Sequence, residues 1–262
     1  MASHPRAKHP RPRPSGGSLG GDSSLSFLNQ RIVSCKRCPR LRAYCVEVAA
    51  KRKREFLEWE YWGRPLPGFG DPSAELLIVG LAPAAHGGLR TGRMFCGDSS
   101  GSWLAKALYQ TGFANQPTST SRDDGFRLSN AYVTAVVRCA PPDNKPSRQE
   151  IEACLPYLRR ELELLTRVRL VIVLGRIAFD GYLRALSSIN GEASLRGLRF
   201  AHGAVFQLGK GLPTLMVSYH PSRQNTQTGR LTAPMLDAVL ARVRQLAEAG
   251  AARDSPRLGG QS

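Results

Sequence analysis

Short apolar segments that alternate with longer amphipathic ones constrain the fold of this chain more than any other feature. Residues 74–80 (AELLIVG), 131–137 (AYVTAVV) and 170–174 (LVIVL) have the length and apolar character of buried strands. Two more strands are predicted near residues 200–207 and 214–219. Strands that alternate with helices favour a three-layer α/β/α sandwich with a central, mostly parallel sheet.

The predicted helices fall between and after these strands. Ser147 precedes Glu150 by three positions, which is the spacing of a capping box at the start of a helix. The helices are predicted at residues 102–110, 147–165, 177–186 and 233–249. In a sheet of this kind, ligands bind beyond the carboxyl ends of the strands, so the loops at those ends are the candidate functional segments.

The two ends of the chain differ in composition from the rest. Residues 1–22 are rich in Pro, Gly, Ser and Arg and contain almost no apolar residues, so we expect a disordered basic arm. Residues 251–262 (AARDSPRLGGQS) are predicted to form a disordered tail. The intervening residues 23–250 are then a single domain, of a size that one core can serve.

The chain contains no apolar stretch of about 18 or more residues, so no membrane span is predicted. Its first residues are basic but lack the apolar core of a secretory signal. We therefore expect a cytoplasmic protein without a membrane partner.

The net charge of +17, from 37 Lys and Arg against 20 Asp and Glu, indicates a polyanionic partner. Cationic side chains placed on phosphates release condensed counterions, which favours nucleic-acid binding. A basic tail with scattered, solvated arginines is the alternative that charge alone leaves open.

The cysteine spacing indicates a metal centre. Cys35-Lys-Arg-Cys38 has the spacing that lets two thiolates bind one centre, and cytosolic thiols stay reduced. Zinc and a 4Fe–4S cluster both suit such thiolates, and spacing does not choose between them. Buried free thiols are the natural interpretation of Cys45 and Cys96 but fit the CxxC poorly.

Two loops follow predicted central strands, so both should open on the same edge of the sheet. The first comprises residues 80–88 (GLAPAAHGG) and 90–98 (RTGRMFCGD), and the second comprises residues 218–225 (SYHPSRQN). These loops resemble the two motifs of the uracil-DNA glycosylase superfamily, and most of all those of its family 5, or B-type, enzymes of bacteria and archaea. The resemblance runs from about Cys35 to Asn225.

The resemblance implies an iron–sulfur enzyme of DNA repair. It implies that DNA is the substrate, that uracil is flipped out and cleaved off to leave an abasic site, and that deaminated bases such as hypoxanthine are accepted too. It also implies a bacterial, nucleoid-associated protein, and nothing in the sequence requires more than a monomer. The cysteines that match the 4Fe–4S ligands of the family are Cys35, Cys38, Cys139 and Cys154.

His220 is the candidate donor to the leaving base. It directly follows a predicted strand and precedes Pro221, so it should lie at the carboxyl edge of the sheet. A neutral imidazole can donate one hydrogen bond to the negative charge that grows on the departing base. His86, in the first motif, is less securely assigned, and His202 has no motif to assign it.

Four residues of the first motif are predicted to bind the substrate. Phe95 falls where the superfamily places the aromatic ring that stacks on the flipped base. Gly80, Ala82 and Gly87 should let the backbone approach the base closely, because larger side chains there would fill the pocket.

The superfamily often carries Asp or Asn at the position that Ala82 occupies here, where the side chain positions the attacking water. The family resemblance suggests Asp98 as the substitute and Asn144 as a second group near the water or base. Each has a structural alternative, because Asp98 could cap the following helix and Asn144 could stabilise a Pro-rich turn.

Arg223 and Gln224, in the second motif, are the candidate DNA contacts. A non-catalytic nucleic-acid-binding module with zinc on the four cysteines would explain the charge and the CxxC equally well. It would not explain why His220 and the Gly80–Asp98 loop are predicted at one sheet edge. A phosphohydrolase is disfavoured because no carboxylate cluster or P-loop is evident.

Overall fold

A computed structural model describes residues 24–190, 195 and 197–254. The predicted basic arm, residues 1–22, lies outside the described residues, as do residues 255–262 of the predicted tail. Residues 251–254 of that tail belong instead to the last helix, Ala233–Asp254. Within the described part of the chain, no helix is both long and apolar enough to cross a membrane.

Six strands and eight α-helices make up the described chain, together with short 3₁₀ turns at Arg54–Phe56 and Pro142–Asn144. The strands are β1 (Phe69–Gly70), β2 (Leu76–Gly80), β3 (Ala131–Ala135), β4 (Leu170–Leu174), β5 (Val205–Gln207) and β6 (Thr214–Ser218). The helices are α1 (Leu25–Val33), α2 (Pro39–Lys51), α3 (Gly88–Thr91), α4 (Ser99–Gln110), α5 (Arg148–Leu164), α6 (Arg176–Asn190), α7 (Arg223–Gln227) and α8 (Ala233–Asp254).

The strands form one sheet in the order β1-β3-β2-β4-β6-β5. The four central strands are parallel, and β1 and β5 add to the two edges in antiparallel orientation. Parallel pairing brings the carboxyl ends of the central strands to one edge of the sheet, at Gly80, Ala135, Leu174 and Ser218. This confirms the predicted α/β class and its mostly parallel sheet.

Alternate residues of each central strand enter different cores, which is what makes the fold three-layered. In β2, Leu77 and Val79 join the core formed with α1, α2, α5 and α6. Their neighbours Leu76 and Ile78 join the core formed with α4 and α8. Both faces of the central strands are therefore buried, as their unbroken apolar sequences predict.

The capping box predicted at the start of α5 is present. The Ser147 hydroxyl accepts a hydrogen bond from Glu150 N, and the Glu150 carboxylate accepts one from Ser147 N. The sequence pattern did not predict α1, α2, α3, α7 or β1. Of these, α1 and α2 carry the polypeptide past the first cysteine pair, and α7 carries the end of the second motif.

Candidate active site and cysteine cavity

The two motif loops meet where β2 and β6 end. Phe95, from the loop after β2, and His220, from the loop after β6, lie with ring centroids 5.8 Å apart and planes inclined by 32°. The parallel register of the central strands causes this meeting, because Gly80 and Ser218 end their strands at the same edge. The structure thus brings together the two aromatic residues that the sequence placed in the site.

Phe95 adopts a left-handed backbone conformation, with φ of 49°, that residues other than glycine rarely take. Two glycines fit around it. A Cβ at Gly80 would lie 2.8 Å from the Phe95 ring, and one at Gly101 of α4 would overlap the Phe95 carbonyl group. Such backbone strain costs of the order of 1–3 kcal/mol and persists where the surrounding structure enforces it, which is characteristic of functional sites.

The His220 imidazole is held neutral. Burial lowers the pKa of His220 to about 4, so the ring carries one N–H donor at neutral pH. Its ring nitrogens form no hydrogen bond with the described part of the chain. Its backbone is fixed by Asn225, whose Nδ2 donates to His220 O at 2.8 Å. The ring is therefore held in place with its donor available to a ligand.

His202, which no motif identified, supports the same turn. Its Nδ1 accepts a hydrogen bond from Tyr219 N at 3.1 Å, and its ring stacks on Tyr219 with centroids 4.9 Å apart and planes 10° from parallel. Since Nδ1 accepts, a neutral His202 carries its proton on Nε2. His202 therefore braces the residue that precedes His220.

Asp98 takes the structural role that the sequence left open for it, and its catalytic role stays a prediction. As N-cap of α4, its Oδ1 accepts a hydrogen bond from Gly101 N at 2.8 Å. Its other oxygen faces the Cα of Gly87, where a Cβ would overlap it. Burial raises the pKa of Asp98 above its ordinary value, while hydrogen bonds from α4 and the positive charges of Arg90 and Arg223 oppose that rise.

The two glycines of the first motif lie against groups that line the site. A Cβ at Gly80 would meet the Phe95 ring, and one at Gly87 would overlap the Asp98 carboxylate, while close approach to a base stays a prediction. Ala82 is half-buried and packs against the core that contains α5. The glycines thus shape the site by admitting the groups that line it.

Asn144 ends the turn Pro142–Asn144 and is exposed, with φ of 57°. Its side chain makes no hydrogen bond within the described residues. Arg223 and Gln224 are also exposed, at the start of α7, where the Ser222 side chain caps the helix. Asn144, Arg223 and Gln224 are thus exposed to solvent, and their roles stay predictions.

Four of the six cysteines border the same space, and their role as ligands stays a prediction. One small cavity is lined by Cys35, Cys38, Cys139 and Cys154, whereas Cys45 and Cys96 are not among its lining residues. Among the residues that the structure describes, no three His, Cys, Asp or Glu side chains lie close enough together to hold one metal ion. The four thiols instead surround a cavity between the CxxC segment, the polypeptide after β3, and α5.

The cavity is poor in negative charge and bordered by cations, which include Arg37 and Arg42. Burial raises the pKa of Cys154 to about 12, and Arg138 N lies 3.3 Å from its sulfur in a donating orientation. Positive groups and a backbone N–H around thiols suit a thiolate-bound centre, whose ligands must lose their protons. The residues present therefore fit a thiolate-ligated cluster.

Comparison with known proteins identifies the family. The family model of the uracil DNA glycosylase superfamily matches residues 67–244. The chain belongs to this superfamily. It is 46% identical over 229 residues to the type-5 uracil-DNA glycosylase of Mycobacterium leprae, a match that covers 87% of this chain and 98% of that protein.

Further relatives place the chain within the superfamily. It is 48% identical over 223 residues to the type-5 uracil-DNA glycosylase of Thermus thermophilus, covering 83% of this chain and 96% of that protein. A type-4 uracil-DNA glycosylase of Pyrobaculum aerophilum is 29% identical over 201 residues, or 76% of this chain and 83% of that protein. The higher identity to the type-5 group confirms the resemblance drawn from the two motifs.

One buried group beside these loops was not recognised from the sequence. Arg90, in the first motif, is only 4% exposed and donates through Nε to His86 O, while His86 Nδ1 lies 3.0 Å from the Tyr61 hydroxyl. The segment that contains Tyr61 precedes the first motif and carries no pattern of its own. The available signal was Arg90 itself, a cation within a loop of small and apolar residues.

Proposed function

We propose that this chain removes uracil from DNA by hydrolysing the bond between the base and its deoxyribose, which leaves an abasic site. The observation that carries the proposal is the pair of rings at the sheet edge, Phe95 and a neutral His220. The relatives named type-5 uracil-DNA glycosylase, at 46% and 48% identity, support it.

Phe95 and His220 act on the base. A base must leave the duplex before side chains can reach its glycosidic bond. Phe95 offers it a stacking face, an interaction worth roughly 1–3 kcal/mol per base. The single N–H of His220 donates to the base oxygen on which negative charge grows as the bond breaks. Because burial keeps the ring neutral, this donor is present throughout the neutral pH range.

Asp98 acts on the sugar side of the bond. As the base departs, positive charge develops on the deoxyribose, and an ionised carboxylate stabilises that charge and accepts a hydrogen bond from the attacking water. Its cap hydrogen bond to Gly101 leaves lone pairs on the other oxygen for this purpose. Asn144, on an exposed turn, is the further group that we assign to orienting the water or the base.

We infer the substrate range from the small, apolar side chain of Ala82. A methyl group at this position neither reads the base edge nor blocks a larger ring, so discrimination depends on stacking and on the His220 hydrogen bond. Both interactions are available to hypoxanthine as well as to uracil. We therefore include hypoxanthine and related deaminated bases among the substrates.

Cys35, Cys38, Cys139 and Cys154 would hold a 4Fe–4S cluster in the cavity that they line. Bound there, the cluster would supply a structural cross-link and no redox step, since hydrolysis of a glycosidic bond transfers no electron. The four residues would tie the segment before α2 to α5 and to the polypeptide after β3. Arg37 and Arg42 border the cavity and would balance the negative charge of the thiolates.

DNA binding rests on the exposed cations around the site. Arg223 and Gln224 lie at the start of α7, directly after the turn that carries His220. Arg223 also opposes the pKa rise of Asp98, which indicates that its charge faces the site. With a net charge of +17, we expect phosphate contacts to dominate the affinity.

The test is incubation of the chain with three duplexes that differ in one base: uracil, hypoxanthine or thymine. Alkali cleaves DNA at abasic sites, so we expect cleavage at uracil and at hypoxanthine and none at thymine. Binding of all three duplexes without any alkali-labile site would refute glycosylase activity. That result, with zinc found in the purified protein, would favour a non-catalytic nucleic-acid-binding module instead.

A further inference from the structure

Two buried arginines in the first motif loop differ in their partners. Arg90 and Arg93 are each 4% exposed. Arg93 forms an ion pair with Asp124 at 2.8 Å, and its guanidinium lies 5.2 Å from the ring centroids of Phe69 and Phe126. Arg90 forms no ion pair with any described residue. A buried cation without a bonded carboxylate is costly, so its retention calls for an explanation.

Aromatic rings and carbonyl groups hold Arg90 in place. Its guanidinium lies 3.9 Å from the centroid of Phe56 and 4.0 Å from that of Trp59, close enough for strong cation–π attraction. Its Nε donates to His86 O and its Nη2 donates to Gly97 O, both at 2.8 Å. Its Nη1 is buried and makes no hydrogen bond within the described chain.

The two carbonyl groups that Arg90 binds belong to the segments that border the Asp98 carboxylate. His86 precedes Gly87, whose Cα faces an Asp98 oxygen, and Gly97 precedes Asp98 itself. One guanidinium thus fixes the peptide on each side of the carboxylate. Lysine could not reproduce this arrangement, because it has no planar fork of donors to reach both carbonyl groups from between two rings.

We propose that Arg90 is a positioning residue that fixes the Asp98 carboxylate in the site and favours its ionised form. The geometric part of this inference depends only on the described contacts. Its consequence for catalysis rests on the proposed function, in which Asp98 acts on the sugar and the water. No contact between Arg90 and substrate is required.

The charges around Arg90 and Asp98 determine in which direction Arg90 changes the Asp98 pKa. Arg90 and Arg223 face Asp98 and lower its pKa, against the rise that burial causes. Glu55, Tyr61 and Cys96 face Arg90 in turn. Removal of the Arg90 charge should therefore raise the Asp98 pKa, and the carboxylate should take up its proton at a higher pH.

The experiment compares Arg90→Met and Arg90→Lys with Arg93→Met, which removes an equally buried cation from the same loop. Carbon-13 NMR titration of the Asp98 carboxyl group reports the pKa directly in the purified protein. We expect a higher Asp98 pKa in Arg90→Met, a smaller rise in Arg90→Lys, and no rise in Arg93→Met. Equal pKa values in Arg90→Met and the wild-type protein would overturn the inference.

Positioning is read separately, from single-turnover rates on uracil-containing DNA. We expect Arg90→Lys to lose about tenfold or more in rate with unchanged DNA affinity, because it keeps the charge but loses the fork. If Arg90→Lys cleaves DNA at the wild-type rate and its Asp98 pKa is unchanged, the positioning role is refuted. This result decides the question even if Arg90→Met fails to fold. If Arg90→Met raises the Asp98 pKa but cleaves DNA at the same rate as Arg93→Met, Arg90 favours the ionised carboxylate but the catalytic role proposed for Asp98 is refuted.

Discussion

If His220 is neutral in the folded protein, the stability of the protein should depend on pH in a way that can be measured without an activity assay. The pKa of His220 falls from its ordinary value of 6.5 to about 4 in the folded protein. Between these values the unfolded chain binds the proton more tightly than the folded one, so stability falls as the pH drops through this window. At pH 5 this single group should destabilise the folded state by about 2 kcal/mol relative to pH 7.5.

Replacement of His220 by glutamine removes the titrating group and keeps a polar side chain. We therefore expect the variant to lose about 2 kcal/mol less stability than the wild-type protein between pH 7.5 and pH 5. Urea unfolding at the two pH values measures the difference. His86→Gln is the matched control. Because His86 is exposed, its replacement should change the pH dependence of stability less than the replacement of His220. Equal pH dependence in the wild-type protein and His220→Gln would refute a half-buried, neutral imidazole.

Three further predictions concern the pocket, the cysteines and the DNA surface. Gly80→Ala should push a methyl group into the Phe95 ring, which lies 2.8 Å from that position. We expect a loss of stability of about 1–3 kcal/mol in urea unfolding and a lower rate in cleavage assays. Cys139→Ser should abolish the visible absorbance of an iron–sulfur cluster while Cys45→Ser leaves it intact, and equal iron loss in both would contradict the ligand assignment. Arg223→Ala should weaken DNA binding and reduce the slope of log affinity against log salt by about 0.9, whereas an unchanged slope would exclude a phosphate contact.

The sequence predicts the architecture well because the central strands are buried on both faces. Segments such as 170–174 can be apolar throughout only in a covered, largely parallel sheet. Once those strands are placed, the positions of Phe95 and His220 follow, since each lies in a loop beyond a strand's carboxyl end. The same reasoning does not reach α1 and α2, which precede the first strand and pack against α5 and α3.

The internal arrangement of the site could be predicted less well, because it depends on contacts between distant segments. The left-handed backbone of Phe95 is set by its packing against Gly80 and Gly101, and no local signal marks it. Arg90 depends on Phe56 and Trp59, which lie in a stretch without a motif. The sequence left two roles open for Asp98, and the structure shows the helix cap, with the second oxygen against Gly87.

The most direct test of His220 as the donor to the leaving base is a single-turnover comparison of the wild-type protein with His220→Ala. Both are measured on uracil and on hypoxanthine in the same duplex, alongside DNA affinity. Loss of a preorganised donor should lower the rate by ~10²–10³, with the greater loss for the poorer leaving base and little change in affinity. A loss of less than about tenfold on both bases, well below the worth of such a donor, would contradict the role assigned to His220.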